Sequence, residues 1–83
     1  MSIDQRKTLV SLRKKMNLTQ KDISSKLGIT ASYYGMIEQG TRTPSLTLAK
    51  NIASFFGKNI EEIFLNSNKQ NFHNYQHLIK HSL

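Results

Sequence analysis

The stretch Leu18-Thr19-Gln20-Lys21-Asp22-Ile23-Ser24-Ser25-Lys26-Leu27-Gly28-Ile29-Thr30-Ala31-Ser32-Tyr33-Tyr34-Gly35-Met36-Ile37-Glu38-Gln39-Gly40 decides the fold. Thr19 has an oxygen to cap a helix, and Asp22 is favoured in that helix's first turn. Ile23 and Leu27 form an i,i+4 apolar pair. Gly28 stops the run, because glycine takes the positive φ of a helix end without steric cost. Thr30 caps again, Tyr34 and Ile37 face inward, and Gly40 stops the second run. The pattern predicts helices over about 19–28 and 30–39 with Gly28-Ile29-Thr30 between them, which is helix-turn-helix spacing. Ser24 supplies the small residue needed where the second helix crosses the first. The second helix keeps a free outer face.

The same punctuation extends in both directions. Ser2 with Gln5 reads as a capping box that opens a helix running to about Met16, with Leu9, Leu12 and Met16 on one face and Asn17 as a left-handed terminator. Pro44-Ser45 opens a fourth helix with Leu48 or Ala49, Ile52, Ala53 and Phe56 as its stripe, closed by Gly57. Asn59 with Glu62 caps a short fifth helix carrying Ile60, Ile63 and Phe64. Apolar residues recur every three or four positions and no stretch alternates with period two, so the expected fold is all-α, a compact five-helix domain over 1–65. Residues 66–83 form an Asn/Gln/His-rich tail.

Composition narrows the function classes. The chain has 83 residues, 12 Lys+Arg against 5 Asp+Glu, a formal charge of +7 and 37% hydrophobic residues. That is enough for one core and no second one. There is no room for a doubly wound sheet, a barrel or a two-domain cleft. No cysteine means no disulfide framework, thiolate nucleophile or cysteine-ligated zinc. The apolar runs are far too short for a membrane span, and the N-terminus lacks the apolar core of a signal peptide. No phosphate-cradling glycine loop or paired carboxylates in a pocket are evident, so an enzyme is not expected, and neither is a cofactor. A positive excess on so small a body favours a polyanionic partner. It is uneven: residues 1–42 carry eight basic and three acidic residues, the rest four and two.

The span Leu18 to Thr30, then Ile37-Glu38-Gln39-Gly40, then Arg42-Thr43-Pro44-Ser45-Leu46, resembles the Cro/CI-type (XRE-type) helix-turn-helix transcriptional regulators. The likeness continues through Ala49, Ile52-Ala53, Gly57 and Ile63-Phe64, and covers roughly residues 6–65. It implies a lambda-repressor-like domain that binds double-stranded operator DNA, usually as a two-fold homodimer. By the same resemblance Gln20 and Arg42 are candidates for the DNA backbone. Thr30 joins them because a capped helix N-terminus points its amides at anions, and Tyr33 because its phase turns its hydroxyl outward. The resemblance also puts Ala31, Ser32, Gly35 and Met36 at the base-reading positions. Here the chain departs from the pattern: many relatives carry Gln, Arg, Asn or Lys at these places, which reach base edges in pairs of hydrogen bonds. Against these roles stand plain ones: helix capping for Thr30, an exposed helix start for Gln20, a solvated loop charge for Arg42, helix filling for Ala31 and Met36. Gly35 fits two readings, close approach to DNA or room for the adjacent tyrosines. Tyr34, in phase with Ile37, is expected in the core. Arg13 and Glu38 are expected to form a buried ion pair that ties the recognition helix to the body. Arg6, Lys21 and Lys26 need no special role on a basic protein.

In the tail, Phe72, Tyr75, Leu78, Ile79 and Leu83 form a possible amphipathic stripe after the linker Asn66-Ser67-Asn68-Lys69. The dimer surface is expected from Ile60, Ile63, Phe64, Leu65 and Phe72. His73, His77 and His81 repeat every four residues, but their Asn, Gln and Lys neighbours read as a solvated face, and no metal site is expected. The functional expectation is a cytoplasmic, DNA-associated regulator, a repressor acting on an inverted repeat. The alternative is an antitoxin or partner subunit acting mainly through protein contacts. Non-specific nucleoid binding fits the charge but not the helix-turn-helix grammar.

Overall fold

The computed structural model describes residues 6–65. Among them are five helices and no strand: α1 (Lys7–Lys15), α2 (Gln20–Leu27), α3 (Ala31–Gln39), α4 (Leu46–Phe55) and α5 (Glu61–Leu65), the last a single π-helical turn. The fold is all-α, as the apolar periodicity predicts. The caps expected at the four later helices form. The Thr19 hydroxyl accepts from the Asp22 amide while the Asp22 carboxylate accepts from the Thr19 amide, a complete capping box. Thr30 accepts from the Tyr33 amide and Ser45 from the Leu48 amide. Asn59 and Glu62 exchange side-chain and backbone bonds at the start of α5. Each cap satisfies an amide that a helix start would leave without a partner. Asn17 takes φ 57°, and Gly28 takes 74° in the turn between α2 and α3.

These starts and stops aim the apolar side chains at one point. Leu9, Ile23, Tyr34, Ile37, Ala49, Ile52, Ala53, Ile60, Ile63 and Phe64 make the core. Leu12, Leu18, Leu27, Leu46, Leu48, Phe55, Phe56 and Leu65 pack against its edge.

Three sequence expectations need correction. The first helix opens at Lys7, with Arg6 outside it at φ −81°, ψ 81°, so no helix runs unbroken from Ser2; Ser2 and Gln5 lie outside the described residues. Met16 falls after the last helical residue and is 49% exposed, so the inner face of α1 ends at Arg13. The α4 stripe stands as expected, with Ala49 the more deeply buried of the Leu48/Ala49 pair and Phe56, at the helix end, packed against the core's edge. The fifth helix differs most. Ile60, Ile63 and Phe64 are buried within the chain itself, since a one-turn helix must turn its few apolar side chains into the core. They offer no surface to a second copy. Of the expected dimer residues only Leu65 stays partly open, and Phe72 lies outside the described residues.

Candidate nucleic-acid interface

The N-terminal ends of α2 and α3 and the loop after α3 place the candidate residues together. Glu38 is the fixed point beneath them. It is 2% exposed. Arg13 reaches it from α1 in a two-pronged pair, Nε to Oε2 at 2.6 Å and Nη2 to Oε1 at 3.1 Å. The same guanidinium donates from Nη1 to the Leu18 carbonyl at 2.9 Å, which ties down the chain entering α2. Gln20 Nε2 donates to Glu38 Oε1 at 3.0 Å. The fully buried Tyr34 hydroxyl faces the same carboxylate without reaching good hydrogen-bond geometry. Burial alone raises the Glu38 carboxyl, but hydrogen bonds, Arg13's foremost, outweigh it and hold the group below the usual carboxylate range. The Arg13 guanidinium is raised in return by its bond to Glu38. Burial pushes the Tyr34 phenol up, with the Glu38 charge adding to it. The expected ion pair therefore exists, and it carries Gln20 as a third member.

The expected backbone candidates lie on the rim of this network. Thr30 is exposed at the α3 start with its hydroxyl on the Tyr33 amide. Tyr33 is half-buried, and the exposed Arg42 guanidinium sits over its ring at 5.4 Å. Gln20 is half-buried, its amide already committed to Glu38 on one side. Of the base-reading candidates, Ser32 is exposed, and Ala31 and Met36 are half-buried.

Gly35 does not face outward. It is buried under α2: a Cβ built there would lie 3.1 Å from Gln20 Oε1. The side chain that fills the space beside Gly35 is Gln20 rather than a tyrosine. This explains a glycine inside a helix, where it costs about 1 kcal/mol relative to alanine.

Two residues emerge that the sequence did not single out. Gln39 is exposed at the end of α3. Seven positions after Ser32, it falls on the same helical stripe. Arg6 is 2% exposed. Its backbone amide donates to the Glu38 carbonyl at 2.8 Å, and Nη1 donates to the Ile37 carbonyl at 2.5 Å and the Arg42 carbonyl at 3.0 Å. Its guanidinium also lies 5.4 Å from the Phe64 ring centroid. Arg6 thus binds carbonyls at the end of α3 and the loop that carries Arg42. The available signal was spacing: Arg6, Leu9 and Arg13 stand at i, i+3 and i+7, one stripe of a helix.

Among the described residues no group of three or more His, Cys, Asp or Glu could hold a metal ion, and no helix is long and apolar enough to cross a membrane. His73, His77 and His81 lie outside the described residues.

Comparison with known proteins places the chain among helix-turn-helix proteins. The model of a helix-turn-helix family matches residues 9–63. An uncharacterized HTH-type transcriptional regulator of Methanocaldococcus jannaschii is 51% identical over 49 residues, covering 59% of this chain and 74% of that protein. One from Archaeoglobus fulgidus is 35% identical over 60 residues, 72% of this chain and 84% of its own. One from Methanothermobacter thermautotrophicus is 39% identical over 54 residues, 64% and 78%. No solved structure matches the chain.

Proposed function

Since the chain belongs to the helix-turn-helix family of DNA-binding transcriptional regulators of the XRE type, we propose that it is a sequence-specific repressor that binds an inverted repeat as a homodimer. Each copy lays α3 in a major groove, and the two grooves are about 34 Å apart along one face of the duplex. The observation that carries the reading is the division of labour in α3. Tyr34, Ile37 and Glu38 are buried and fixed, while Ser32 and Gln39 stand exposed and Met36 half-exposed on the other side.

Gln20, Thr30, Tyr33 and Arg42 grip phosphates. Stacking on Tyr33 limits the directions the Arg42 guanidinium can take. Such contacts supply affinity that falls steeply with salt. Base reading comes from Ser32, Ala31, Met36 and Gln39. Ser32 donates to or accepts from base edges, Ala31 and Met36 touch thymine methyl groups, and Gln39 is long enough for the paired bonds an adenine offers. None of these four is charged, so the shape of the DNA contributes to discrimination. The second copy docks through Leu65 and the tail beyond it, with Phe72 as an anchor. The site of action is the cytoplasm, where the DNA is.

The test is a set of binding isotherms at several salt concentrations on the chain's own upstream DNA and on random duplex. Preference for an inverted repeat there, protected in a footprint, is the expected result. Equal binding to both at every salt concentration overturns the proposal. The partner-subunit alternative asks for an exposed apolar face. Among the described residues only Met16 is a large apolar side chain in the open, so no observation favours it.

A further inference from the structure

Gly35 and Gln20 belong to different helices, and each explains the other. Gly35 is the one buried glycine inside α3, and glycine weakens a helix interior. Its missing side chain leaves the space that the Gln20 carboxamide fills, with Oε1 3.1 Å and Cδ 3.6 Å from where a Cβ would stand. In that space Nε2 reaches Glu38 Oε1 at 3.0 Å, and Glu38 is itself locked by Arg13. An amide carries two N–H donors and one carbonyl. One donor is fixed on Glu38, which fixes the plane of the group and the directions of the others.

We propose that Gly35 is a positioning residue for DNA binding: its bare backbone seats the Gln20 carboxamide on Glu38, so that the remaining N–H is held aimed at a DNA phosphate. The inference rests on the phosphate role given to Gln20 above. It moves Gly35 from the base-reading set to the support beneath a backbone contact. A glutamine held in one rotamer loses less entropy on binding than one that must be ordered first.

Gly35→Ala is a mild perturbation. Alanine favours the helix, and the neighbour it meets is the far end of a flexible side chain, so the domain folds while Gln20 shifts. Gly35→Met, unbranched and long, displaces Gln20 altogether. The probe is a 20-base-pair duplex of arbitrary mixed sequence at low salt, because a phosphate contact is independent of sequence. Gln20→Ala weakens binding about tenfold, near the lower end of what a hydrogen bond to a charged group contributes. Gly35→Ala gives part of that loss and Gly35→Met all of it. In a Gln20→Ala background neither Gly35 substitution has any further effect, the signature of two residues acting through one contact. Thermal unfolding of every variant checks that the fold is retained.

A loss of the same size with and without Gln20, or no loss in either Gly35 variant, overturns the proposal. A second readout separates it from the phosphate role. The side-chain amide signals of Gln20 in a 1H–15N spectrum move on Gly35→Ala if Gly35 seats Gln20, and their staying put overturns the seating even without DNA. If they move while Gln20→Ala binds the duplex like wild type, the phosphate role fails, and the proposal that Gly35 serves DNA binding fails with it.

Discussion

Replacing Arg13 by methionine removes the two bonds to Glu38 and the one to the Leu18 carbonyl, while keeping most of the aliphatic stem. Glu38, 2% exposed, is left with the Gln20 amide as its remaining strong donor. Breaking a buried pair by deleting one partner costs about 3–5 kcal/mol, because the other charge stays desolvated. A domain of this size has roughly 3–9 kcal/mol in total. R13M is therefore expected at the edge of unfolding near pH 7. The pH dependence should also change sign. In the wild type the Glu38 carboxyl is held below its unfolded value. Its contribution to stability is thus present above the unfolded pKa, roughly 4.3, and is lost as pH falls through the lower folded value. In R13M burial dominates and the folded pKa rises above the unfolded one. The variant then gains stability as pH falls from neutral towards roughly 4.3, the opposite slope. Urea unfolding followed by far-UV circular dichroism between pH 4 and 8 measures both effects. The double variant R13M/E38L, with neither charge buried, recovers more than half the loss at pH 7. A cost for R13M below about 1 kcal/mol at pH 7, or a pH slope of the wild-type sign, refutes the reasoning.

Three further outcomes are expected. Thr30→Ala removes the cap of α3 and destabilises the domain by about 1 kcal/mol in urea titrations. Arg42→Ala lowers the slope of log affinity against log salt by about 1 and weakens specific and random DNA alike, as loss of one phosphate contact requires. Removing residues 68–83 is expected to abolish the dimer in sedimentation and lower operator affinity together. Intact DNA binding by the shortened chain would assign the tail to a different partner.

What the sequence reveals here depends on how local the physics is. The caps at Thr19, Thr30, Ser45 and Asn59 each join residues three apart, so residue type and spacing suffice to find them. The left-handed turns at Asn17 and Gly28 are equally local. Arg13 and Glu38 stand 25 positions apart, and only the family resemblance suggested the pair. Gln20 as its third member and the seat at Gly35 were not legible. Both depend on how closely α2 crosses α3, which spacing does not report. Arg6 is not legible either, because a cation on a basic chain usually stays in water and the carbonyls that hold it lie 31 and 36 positions away. The role of the fifth helix is hidden for a different reason. Its apolar residues carry no mark telling a core face from a subunit seam, and in so short an element the core takes them first.

The contacts of Arg6 also bear on the order in which the domain assembles. Its bonds to the Ile37 and Arg42 carbonyls join residues 31 and 36 positions apart, while the caps of α2 and α3 close over three. Forming so long a loop costs chain entropy that the short turns do not, so non-local contacts of this kind tend to form late. The paired helices can then exist as a folding unit before their far end is secured. Opening of Arg6 would be a partial unfolding, freeing the last turn of α3 and the loop of Arg42 without dissolving the core. Hydrogen exchange would register it as protection that is weaker at Thr41 and Arg42, whose amides bond the Met36 carbonyl, than at Ile23 or Tyr34.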